Sequence, residues 1–208
     1  MTHTFDQDYW ARRWRGGPNA APLAMAAAPP HPHLTREVAD LAPGTALDAG
    51  CGAGAEAIWL ASHGWHVTGA DISNEALSAA AERARASGVA DRVRWVQADL
   101  TTWEPAATYD LVTTHYAHPA MPQLEFYDRI ASWVSPGGTL LIVGHLHHGN
   151  GTDEPPASAS VTGAAITRRL NPAVWQVVTA EESQRTVSAR GGGPASLHDV
   201  VVRATRLI

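Results

Sequence analysis

Three aspartates in this chain stand where the polar groups of a nucleotide would need them. Asp48 lies two residues before a turn that reads Gly50-Cys51-Gly52-Ala53-Gly54. Glycines let a backbone approach a ligand closely, and the helix that follows offers its N-terminus. Both features suit a pyrophosphate, yet a carboxylate beside the turn repels one. Asp48 therefore fits a ligand with an ammonium group better. Asp71 follows about 20 residues on, where a carboxylate can accept the hydrogens of both ribose hydroxyls. Asp99 ends the next strand, in "VQADL", and is placed to accept from an adenine amino group. Ala55 also completes a permissive Gly50-x-Gly52-x-x-Ala55 fingerprint, so the turn alone leaves a dinucleotide reading open.

The second group is made of histidines. Of the eleven in the chain, five fall at expected strand ends: His115, His118, His145, His147 and His148. An imidazole titrates near ~6.5 and suits a general base, an effect of typically ~10²–10⁴-fold. His145 and His115 are the candidates for that role. A second reading is a divalent metal site, because "HLHH" puts His145 and His147 on one face if the strand continues. A third makes them polar loop residues without chemistry. Tyr116 and His118 are candidate walls of a substrate pocket. Tyr9, Trp10 and Trp14 form either a lid over the site or ordinary core.

These residues need a frame that brings strand ends together. "TALDAG", "WHVTGAD", "RVRWVQAD", "YDLVTTHY" and "GGTLLIVGHL" read as strands, and most are separated by helical stretches. "SNEALSAAAERARASG" has an N-cap in Ser73 or Asn74 and a stop at Gly88. The alternation predicts an α/β domain with a mainly parallel sheet, which binds ligands at its carboxyl edge. Residues 34–42 are predicted as a helix, 149–160 as a polar loop, and 161–170 as a short helix. The end reads as two antiparallel strands. The 208 residues fit one domain: a helical and loop cap over 1–43, a core over 44–148, and a C-terminal loop and strands over 149–208.

Composition narrows the partners. The formal net charge is -5, and no run of basic residues offers itself to phosphates, so nucleic acid is disfavoured. The single cysteine, Cys51, excludes an internal disulfide and reads as packing inside the turn. No stretch approaches the ~20 apolar residues that span a bilayer, and a cytoplasmic protein is expected. Oligomeric state is not readable.

"LDAGCGAGAEAIWLA", "VTGADIS", "VQADL", "YDLVTTHY" and "SPGGTLLIVGH", in this order, resemble class I S-adenosylmethionine-dependent methyltransferases. The resemblance covers about residues 40–148. It implies a Rossmann-like, mostly parallel seven-stranded sheet with an antiparallel C-terminal hairpin. It also implies that Asp48, Gly50, Gly52 and Gly54 cradle the methionine end of the cofactor. Asp71 would hold the ribose, with Ile72, Asp99 and Leu100 about the adenine. S-adenosylhomocysteine would be the product. The build is similar to small-molecule members, the tellurite-resistance and thiopurine methyltransferases and small actinobacterial sugar O-methyltransferases. Members that methylate DNA bases typically carry Asn or Asp, then Pro-Pro and an aromatic, where this chain has Thr114-His115-Tyr116. The expected activity is O-methylation of a hydroxyl on a small molecule such as a sugar or natural product. A sulfur or metalloid acceptor is a further option. An NAD-dependent oxidoreductase and a non-catalytic S-adenosylmethionine-binding module are the alternatives.

Overall fold

Asp6 opens the first helix, its carboxylate accepting the Tyr9 N–H at 2.8 Å. The computed structural model describes residues 5–15, 28–146, 160–188 and 194–207. His147, His148 and nearly all of the polar loop expected at 149–160 lie outside the described residues. Helix α1 spans Gln7–Arg15 and α2 spans Pro32–Glu37. The sequence predicts that second helix over 34–42. It starts earlier because the His31 ring accepts the His33 N–H and Pro32 takes the first turn, where a missing N–H costs nothing.

The regular alternation then begins. Strand β1 (Thr45–Ala49) leads to α3 (Ala55–Ser62), β2 (His66–Asp71) and α4 (Asn74–Ala86). Ser73 caps α4 by accepting the Ala76 N–H. Strands β3 (Val93–Gln97) and β4 (Tyr109–His115) follow, then α5 (Gln123–Ala131) and β5 (Val134–His145). The chain closes with α6 (Gly163–Thr167), β6 (Trp175–Ser188) and β7 (Pro194–Arg206).

The seven strands form one sheet in the order β3-β2-β1-β4-β5-β7-β6. The first five are parallel, and β7 runs antiparallel to both β5 and β6. The expected mostly parallel sheet with an antiparallel finish is the fold observed. Side chains alternate between two cores, as strand geometry requires. Leu47, Val112, Leu140 and Ile142 pack with Phe126 and Ile130 of α5. Ala46, Leu111, Leu141 and Val143 pack with Leu34 of α2 and with Ala57 and Leu60 of α3. Each fully buried Leu or Ile contributes roughly 1.5–3 kcal/mol.

Sheet order reverses between β1 and β4, and a crevice opens there beyond the carboxyl ends. Two glycines shape its floor. Gly50 has φ +81, and a Cβ on it would overlap that of Ala117 in the loop after β4. Gly54 has φ +74, and a Cβ there would meet the Trp95 ring at 2.5 Å.

Candidate active site

A cleft of about 490 Å³ fills the crevice. Gly50, Cys51, Gly52 and Glu56 line one side, with Asp71, Ile72, Asp99 and Leu100 beyond them. Across the space stand His115, Tyr116 and His118 from the loop after β4, and Phe5, Trp10 and Trp14 from the N-terminal segment. The segment Ala28–Pro32 completes the wall.

Negative charge concentrates on the glycine side. The Asp71 carboxylate accepts the Gly52 N–H at 2.8 Å and the Ser73 N–H at 2.9 Å, which fixes its direction at the end of β2. Burial raises its pKa above the ordinary range. Asp48 is only 1% exposed, and its Oδ2 has no hydrogen-bond partner. Burial raises its pKa well above the usual value, and Glu56 and Asp71 add to the shift. Burial also raises the pKa of Glu56, whose Oε1 accepts the His31 N–H at 3.1 Å. A buried Asp48 with the half-buried Glu56 and Asp71 close enough to raise its pKa calls for a cation. Asp99 accepts from the Thr101 N–H and hydroxyl at 2.9 and 2.7 Å, which holds it at the cleft rim.

The opposite side is aromatic and nearly uncharged. Burial, helped by His33, lowers the His115 pKa to about 3, so the ring is neutral at pH 7. Its Nε2 is buried and has no hydrogen-bond partner. Tyr116 has φ 55, outside the range a bulky side chain ordinarily adopts. Its ring stacks on His145 at 4.1 Å and meets His31 edge-on at 5.4 Å. The His31 Nδ1 accepts the His33 N–H, so the proton of a neutral His31 ring is on Nε2. That Nε2 lies 2.9 Å from the Tyr116 hydroxyl, to which it donates.

Comparison with known proteins adds to this geometry. Residues 46–138 match a methyltransferase domain. Thiocyanate methyltransferase 1 of Brassica oleracea is 27% identical over 203 residues, 92% of this chain and 84% of that one. A stretch of 51 residues is 45% identical to the ribosomal RNA small subunit methyltransferase C of Alcanivorax borkumensis, covering 24% of this chain and only 16% of that protein. A structure connected with conversion of a disulfide bond into a thioacetal group during echinomycin biosynthesis superposes with TM-score 0.74. The match covers 99% of this chain and 92% of that one at 22% identity. N-methyltransferase NodS of Bradyrhizobium japonicum, in complex with S-adenosyl-L-homocysteine, gives TM-score 0.66 at 17% identity, over 97% and 98%. Residues 46–138 are a methyltransferase domain, set in the fold of class I S-adenosylmethionine-dependent methyltransferases. The oxidoreductase alternative falls with that result, and the cofactor expected from the sequence is S-adenosylmethionine.

The site of this methyltransferase fits the cofactor on its own geometry. The orphaned Asp48 oxygen, the close backbone at Gly50 and the directed Asp71 carboxylate together suit a cationic nucleoside. Most expected residues converge: Gly50, Gly52, Asp71, Ile72, Asp99, Leu100, Trp10, Trp14, His115, Tyr116 and His118 all line the cleft. Four do not. Asp48 is set back from it, and Gly54 makes room for Trp95. Tyr9 packs edge-on against Phe5 and Trp10. His145 backs the Tyr116 ring. Among the described residues no group of three or more His, Cys, Asp or Glu is placed to hold a metal, and His147 lies outside them. Glu56, His31 and Phe5 went unforeseen. The one available signal for Glu56 was an acid in the first turn of the helix after the glycines.

Proposed function

We propose that this methyltransferase methylates a hydroxyl of a small molecule, such as a sugar or natural product, with His115 receiving the proton. The observation that carries the reading is the buried, partnerless Nε2 of a neutral histidine in the cleft wall. When bound, S-adenosylmethionine supplies a methyl group on a positively charged sulfur and leaves as S-adenosylhomocysteine. Glu56 holds the ammonium end with the charge of Asp48 behind it, Asp71 the ribose, and Ile72, Asp99 and Leu100 the adenine. Gly50 and Gly52 admit the methionine portion, while Gly54 keeps the turn in shape. Trp10 and Trp14 act as a lid that excludes water, braced by Tyr9. Tyr116 and His118 orient the acceptor, and His145 supports Tyr116.

Labelled S-adenosylmethionine, incubated with fractionated small-molecule extracts, identifies the acceptor by mass spectrometry. His115→Gln should then lower kcat about 10²–10⁴-fold, the usual range for a general base, and leave S-adenosylhomocysteine affinity unchanged. Normal turnover by that variant would remove His115 from the mechanism.

A sulfur acceptor is the second reading. An imidazole held near pKa 3 is a weak base, and a thiol that ionises near ~8.5 needs little help. The likeness to a thiocyanate methyltransferase supports it as well. Under this reading His115→Gln costs less than about threefold, since little base catalysis is lost.

A further inference from the structure

A second cavity, also about 490 Å³, adjoins the cleft at the loop after β4. The two share Phe5, His118 and Pro119, so one wall serves both. Beyond it the lining is apolar, with Met121, Leu124 and Val161. Among the described lining residues of this second cavity there is no Asp, Glu or Arg. The chain has no lysine, and among the described residues no arginine lines the cleft itself. The acids of the cleft, Glu56, Asp71 and Asp99, belong to the cofactor side. Among the described residues an anionic acceptor would lose its hydration here without gaining a cationic partner, which is unfavourable by several kcal/mol in order of magnitude.

The junction carries a directed polar group. Gln123 donates from Nε2 to the Ala117 carbonyl at 3.0 Å, which turns its Oε1 towards His118 Nδ1 at 3.2 Å. His118 Nδ1 is therefore the donor to that oxygen.

We propose that this second cavity holds the body of the methyl acceptor, and that the acceptor is an uncharged molecule with a hydrophobic body. The inference rests on the methyltransferase reading and narrows its substrate class. It is tested by binding, apart from turnover. The full chain, saturated with S-adenosylhomocysteine, is titrated calorimetrically with 2-naphthol, 2-naphthoate and thiocyanate. 2-Naphthol should bind at least about tenfold more tightly than either anion, the penalty for an unpaired charge. Leu124→Trp, which fills the chamber, should weaken 2-naphthol about tenfold or more without changing S-adenosylhomocysteine affinity. Val161→Trp does the same from the other wall and serves if the first variant misfolds. Equal binding of 2-naphthoate, no binding of 2-naphthol, or indifference to both fillings would overturn the proposal. Absence of methyl transfer with the expected binding pattern intact would instead count against the catalytic reading.

Discussion

Asp48 shows how a single carboxylate can set a requirement for its ligand. Its folded pKa is raised above the unfolded value by burial and by Glu56 and Asp71. A group of that sign stabilises the fold fully below its unfolded pKa, about 3.9, and that contribution is lost as pH rises through the folded pKa. At neutral pH the charged form is therefore a burden on the cofactor-free protein. Asp48→Asn should melt higher than the parent near pH 7, and the difference should shrink as pH falls towards 4. A melting difference that stays constant over that range would contradict the burial account. Tyr116 holds strain of a different kind. A left-handed backbone under a large side chain costs of order 1–3 kcal/mol, and such strain clusters at active sites. The bond to His31 and the stack on His145 keep it in place.

Among the elements, the stretch leading into α2 does most to shape the cleft. Arg83 of α4 donates to the Ala53 carbonyl in the glycine turn at 2.8 Å and to the Ala28 carbonyl at 3.1 Å. It thereby ties the start of the wall to the floor. Arg83→Ala should raise the S-adenosylhomocysteine Kd about tenfold, as loss of bonds worth roughly 1.5–3 kcal/mol implies. Calorimetric titration checks this, and an unchanged Kd would show that the wall stands without its tie. Element type was largely readable in advance. "TALDAG" and "GGTLLIVGHL" are apolar runs bounded by turn residues, and both became strands. The place of Asp71 and Asp99 on the cleft was readable too, because strand ends in this topology share one edge. His31 was not, since its partner Tyr116 lies 85 residues away and no local pattern announces the pairing. His145 was expected at the cleft. Its place behind Tyr116 follows from the parallel register of β4 and β5, which pairs His115 with Val143.

For the whole molecule, the reversed final strand matters most. Insertion of β7 between β5 and β6 sets Asp199 opposite His145. Asp199 is fully buried, with its Oδ2 3.8 Å from His31 Nε2 and 3.7 Å from His33 Nε2. The C-terminal strand thus anchors the N-terminal wall, across almost the full length of the chain. Asp199→Ala should lower unfolding free energy by about 2 kcal/mol or more, because it empties a fully buried site between β7 and the two imidazoles. Urea denaturation measures the change, and a loss below about 0.5 kcal/mol would mean that the anchor is incidental.

Cys51 gives the glycine turn a clock of its own. It is the only thiol in the chain, it is 5% exposed, and its N–H is bonded to the Ala70 carbonyl at 3.1 Å. Burial also raises its pKa, so the closed turn offers little reactive thiolate. Alkylation must then wait for local opening, and its rate counts those openings. S-adenosylhomocysteine should slow that rate in proportion to the occupied fraction of the protein. The same residue that packs the turn can therefore time its breathing, with no label to engineer.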